Sequence, residues 1–76
     1  MKSPVIRKSH SFGTFVGYVI RFDSTTGVWY WTGDCWSNET YPRNGPPKYY
    51  PTIESAQAEI QIALDYIHEW KPGWIV

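Results

Sequence analysis

Cysteine is almost missing from this 76-residue chain: Cys35 stands alone, so no internal disulfide can staple the fold. A single thiol, with no secretory leader in the first residues, gives the expectation of a reducing, cytoplasmic setting. No apolar run approaches the ~20 residues that a membrane helix needs, so no membrane span is expected. Histidine is nearly as scarce. His10 and His68 lie in different regions, neither inside a ligand or triad spacing, and His10 reads as a surface residue. There is no glycine-rich phosphate loop, no CxxC and no HExxH. Cys35 has no neighbouring His or second Cys and reads as an inert thiol. These gaps predict a non-catalytic chain with no metal site and no cofactor. Net charge is absent as well, with seven Lys and Arg against seven Asp and Glu. The distribution is uneven. Lys2, Arg7, Lys8 and Arg21 fall in residues 1–22 with no acid, whereas three cations face seven acids in residues 23–76. Such asymmetry suits an acidic partner or nucleic acid at the basic end.

Aromatic mass takes the place of cross-links. Five Trp, six Tyr and three Phe must build the core of a single domain over residues 1–76, each burying on the order of 150–250 Å². The strongest local signal is Gly17 to Gly33, where two β-branched and aromatic runs flank Asp23-Ser24-Thr25-Thr26-Gly27. This pattern predicts a β-hairpin with a loop of about three to five residues. Asp23 and Ser24 can bond their own backbone to start the turn, and Gly27 can close it at positive φ. Side chains alternate along a strand, so the hairpin has two faces. Pairing Phe22 with Val28 puts Tyr18, Ile20, Phe22, Val28, Tyr30 and Thr32 on the more apolar face, the expected core. Arg21, Trp29 and Trp31 then share the other face as a candidate partner-binding cluster, helped by Tyr49 or Tyr50. A bulge at Gly27 would slip the pairing by one and mix the faces. The competing reading is that Trp74 or the N-terminal segment covers these tryptophans.

Elsewhere the chain reads more plainly. Residues 1–4 are expected to be loose, and Val5-Ile6 starts a short strand. Gly13 and Gly17 suggest a bend or bulge near Gly17. Residues 34–47, rich in Pro, Gly and Asn, read as one long loop pinned by Trp36 and Tyr41. Asn38-Glu39-Thr40 matches a glycosylation acceptor, read as coincidence without a leader. Lys48-Tyr49-Tyr50 predicts a third strand ended by Pro51. Thr52 is placed to cap a helix from Ile53 to Trp70, stopped by Pro72-Gly73. Ile53, Ala56, Ile60, Ala63, Leu64, Ile67 and Trp70 make its expected core stripe, with Ile60, Leu64 and Ile67 mostly buried. Ala58, Ile62 and Tyr66 lie on the far side, a candidate homodimer interface. Trp74-Ile75-Val76 is apolar enough to fold back as an edge strand or a plug.

The fold class expected is therefore α+β, with a small antiparallel sheet of three or four strands and one C-terminal helix on one face. The best-supported function is a small protein-interaction module, similar in size and make-up to accessory proteins of phages and other mobile elements that sit on a host protein. The alternative is nucleic-acid binding. Ile20-Arg21, Thr26-Gly27, Trp31-Thr32-Gly33 and Thr52-Ile53-Glu54-Ser55-Ala56 resemble the AP2-type domain and the arm-binding domain of phage integrases. That resemblance implies a three-stranded sheet whose Arg21, Trp29 and Trp31 face the DNA major groove. Neutral charge and the Pro-rich loop place it second, because phosphate neutralisation dominates DNA affinity.

Overall fold

A computed structural model of the chain describes residues 3–38 and 45–75. It shows a four-stranded antiparallel meander with one helix packed on a single face, an α+β fold. Strand β1 (Val5–Ser11) pairs with β2 (Thr14–Ser24), β2 with β3 (Gly27–Trp31), and β3 with β4 (Trp36–Ser37). Helix α1 (Ile53–Trp70) follows, then a 3₁₀ turn over Pro72–Ile75. The helix begins and ends as the sequence predicts. Thr52 caps it with its hydroxyl accepting from the Ser55 N–H, while the Ser55 hydroxyl accepts from the Thr52 N–H, a reciprocal capping box.

The hairpin exists, but its pairing is one residue away from the expected one. Its loop is only Thr25-Thr26, because Ser24 Oγ accepts from the Thr26 N–H at 3.0 Å and holds the turn tight. Asp23 takes no part in the turn and pairs with Arg21 Nε at 2.8 Å. Gly27, at φ +126°, lies directly opposite Ser24. Phe22 therefore meets Trp29, Arg21 meets Tyr30 and Asp23 meets Val28. Since the side-chain period is two, this one-place shift exchanges the faces of the whole second strand. Trp29 and Trp31 join Ile20 and Phe22 in the core, whereas Val28 is exposed and Tyr30 half-buried on the other face.

One strand is longer than the sequence suggests, and another lies in a region read as loop. Val5-Ile6 extends into seven residues of β1, starting just after Pro4, which is buried rather than loose. Within the expected long loop, Thr32 Oγ1 accepts from the Cys35 N–H at 3.1 Å and turns the chain back, so that Trp36–Ser37 can pair with β3. Trp36 pins this segment in the core as expected; Tyr41 and most of the Asn38-Glu39-Thr40 motif lie outside the described residues. Tyr50 forms a single bridge, with both N–H and C=O bonded to Tyr18 at 2.8 Å, in place of a third strand over 48–50. Lys48 donates its N–H to the Trp31 carbonyl, so this segment fills the wedge where β3 diverges from β2. That approach requires glycine at position 17. A Cβ there would lie 3.1 Å from both the Tyr50 carbonyl oxygen and Tyr49 Cβ, and φ is +142°. The bulge expected near Gly17 is present, with Ser9 paired to Gly17 and His10 to Phe15, so that Val16 is the extra residue.

The core is an aromatic stack under a helix of small residues. Trp74 covers Trp29 at 4.8 Å between centroids, stacks on Phe22 at 5.8 Å and meets Trp36 edge-on. It is the plug expected of the C-terminal segment. Alanines at 56 and 63 are fully buried with Ile67, which lets the helix come close to the bulky tryptophans. Ile60 packs against this cluster, but Leu64 is only half-buried, and Ile53 and Trp70 at the ends of the expected stripe are exposed, because the centre of the helix faces the tryptophans. Tyr66 leaves the far side of the helix to meet Trp31 edge-on at 5.6 Å, a correction to its place in the candidate dimer patch. Ala58 and Ile62 do remain exposed.

Candidate functional site

The sheet face opposite α1 carries no second layer among the described residues. Register lines up Val5, Arg21, Tyr30 and Ser37 across all four strands, with Arg7 beside Val19 in the next row. Segment 45–49 crosses one side of this face and makes it concave. A groove of about 810 Å³ runs between Val28, Tyr30, Asn38, Pro46 and Pro47. A second hollow of about 370 Å³ adjoins it, with Arg7, Val19 and Tyr49 in its wall. Arg21, Tyr30 and Pro47 line both, so the two form one continuous surface. Tyrosine, valine and proline are stiff side chains that lose little entropy on docking. Among the described lining residues of the larger groove there is no carboxylate, histidine or thiol. Among all described residues, no group of three His, Cys, Asp or Glu is placed to hold a metal.

Electrostatically the surface is mildly positive. Arg21 is held by Asp23, and this hydrogen bond raises the guanidinium above its ordinary value. Arg7 and Lys8 are exposed on β1. Glu54, Glu59, Asp65 and Glu69 all sit on α1, on the opposite layer.

The proposed contact cluster is divided by the fold. Arg21 and Tyr49 are on the open face. Trp29 and Trp31 are 8% and 1% exposed and belong to the core, with the Trp29 indole N–H satisfied by Thr26 Oγ1 at 3.0 Å. The implied meeting of these tryptophans with a DNA groove is overturned by the same burial. Tyr50 is also interior. Its hydroxyl donates to Glu59 Oε1 at 3.0 Å, and Lys48 Nζ donates to Glu59 Oε2 at 3.0 Å, tying the 48–50 segment to α1. Burial, and then the bond to Glu59, raise the Tyr50 hydroxyl well above the ordinary tyrosine value. The bond from Lys48 lowers Glu59. The sequence reading missed Val28, Tyr30, Pro46 and Pro47. The signal for Val28 and Tyr30 was the one-place slip weighed at Gly27, which a two-residue loop produces without a bulge; Pro46 and Pro47 carried no such signal.

Two features at the margin complete the surface. His10 is exposed, with its ring edge-on to Phe15, and no ligand partner beside it is among the described residues. Phe12, at the turn between β1 and β2, is fully exposed and holds φ +51°. No helix among the described residues is long and apolar enough to cross a membrane. No family model, curated protein or solved structure matches this chain.

Proposed function

We propose that the chain is a protein-interaction module whose contact surface is the open face of the sheet. The observation that carries this reading is the groove of about 810 Å³ lined by Val28, Tyr30, Pro46 and Pro47 with Arg21 at its margin. Apolar and aromatic walls with one arginine match the composition of energetic centres in protein interfaces. Tyr30 takes the anchoring role first given to the tryptophans. A small accessory protein acting by occupancy of a larger partner is consistent with such a surface.

A second reading, nucleic-acid binding on the same face, is favoured by Arg7 and Arg21 standing on the layer opposite the helix acids. It ranks lower because Arg21 is already engaged by Asp23. Two phosphate contacts would give a log–log salt slope of only about −1.8. The exposed Ile62 and Ala58 further support a homodimer as the assembly.

The test compares wild type with Tyr30→Ala in capture from cells of the source organism. Tyr30→Ala is expected to keep its melting temperature within a few degrees and weaken partner binding by about 2 kcal/mol or more. Undiminished capture removes the groove from consideration. Binding to duplex DNA that vanishes with salt in place of protein capture favours the second reading.

A further inference from the structure

The unpaired edge of β1 is a second place where a partner can attach, and its chemistry is specific. Tyr18 uses both its N–H and its C=O on Tyr50, so neither points toward β1. In an antiparallel ladder the residue opposite such a position also turns its backbone groups outward. Lys8 is the residue opposite Tyr18, and Ile6, two residues earlier, shares its orientation. No backbone bond from β1 to anything except β2 occurs among the described residues. The edge therefore offers two N–H and two C=O groups, at Ile6 and Lys8, in the spacing that an added strand uses.

The side chains along this edge say what that strand must carry. Arg7 points to the open face of the sheet and Lys8 to the helix side, since neighbours alternate. Both are exposed, and neither is in an ion pair among the described residues. A second copy of this chain, added antiparallel through the same edge, would bring these cations against their own equivalents, which is unfavourable. A strand with acids at successive positions would meet Arg7 on one face and Lys8 on the other.

We infer that β1 binds an extended acidic segment of a partner protein by strand addition, through the backbone of Ile6 and Lys8 and the charges of Arg7 and Lys8. This rests on the reading of the chain as a protein-interaction module and adds a contact separate from the groove. The probe is a displayed library of random octapeptides selected on the immobilised full chain. Enriched peptides are expected to be β-branched and acidic. Lys8→Pro removes an outward N–H, which an edge strand tolerates, together with the Lys8 charge, and is expected to weaken them by about tenfold or more. Lys8→Glu, which leaves the backbone intact, is expected to do the same if the proline variant fails to fold. Tyr30→Ala is expected to leave these peptides bound. Enrichment of neutral or basic peptides, undiminished binding by both Lys8 variants, or no enrichment at all overturns the inference. Peptides lost with Tyr30→Ala but kept by Lys8→Pro belong to the groove, which leaves the module reading standing and removes the edge.

Discussion

Trp31 shows how much one indole can carry and what it costs. It is nearly sealed from solvent between Trp36 and Tyr66, yet its Nε1 hydrogen finds no hydrogen-bond acceptor among the described residues. Truncation to Ala opens a cavity and is expected to cost ~3–5 kcal/mol, a large part of the 5–15 kcal/mol typical of a whole domain. Trp31→Phe keeps an aromatic ring and discards the unsatisfied donor, so its cost is expected to be well under that of Ala. Thermal melts of the two variants side by side check this ordering. Phe12 is the opposite case. It buries nothing and holds a left-handed backbone that suits Asn better. Phe12→Asn is expected to raise the melting temperature, by about 1 kcal/mol of stability. A fall would mean that the phenyl ring has a structural contact after all.

At the level of elements, the tie between segment 48–50 and the helix predicts how stability follows pH. Glu59 titrates below its ordinary value in the folded chain because Lys48, and then Tyr50, favour the carboxylate. Its contribution is therefore present above the ordinary carboxylate range and is lost as pH falls through the lowered value. Tyr50 is raised by burial and by its bond to Glu59. Its contribution is present below the ordinary tyrosine value and is lost as pH rises through the raised one. Denaturant midpoints across pH should fall at both ends, and Glu59→Gln should flatten the acid side. The helix itself was readable from sequence to the residue, because Thr52 caps it, the apolar period is regular and Pro72 ends it. The fold class was readable for the same reason, since alternation and turn residues are local signals. The functional face was not. Its assignment depended on whether the loop before Gly27 held an odd or even number of residues, and the Ser24 hydroxyl decided that. Strand β4 stayed hidden because two residues carry no period, and the turn that brings them back, Thr32 to Cys35 with Gly33 at φ +105°, reads in sequence as the start of a long loop.

Taken whole, the molecule has polar regions of opposite character: exposed Arg7 and Lys8 along β1, and the acids on the helix. This arrangement orients an approaching partner before contact, so a salt series should slow association more than it speeds dissociation. Ile62, 56% exposed on the acidic side, decides the question of assembly. Sedimentation is expected to show a concentration-dependent dimer that Ile62→Lys abolishes. A clean monomer at high concentration ends the dimer proposal, and an unchanged melt in Ile62→Lys confirms that the residue has no role in the core.

The covering of Trp29 by Trp74 has a consequence for synthesis on the ribosome. The two residues that make this contact are separated by β4, the segment after it and the whole of α1. At about 5–20 residues per second, the sheet waits for its lid for roughly 2–9 s after Trp29 is made. During that interval Phe22, Trp29 and Trp36 form an uncovered aromatic face on a nascent chain. Chaperones that read exposed apolar surface have that window in which to engage the core side of this sheet during synthesis.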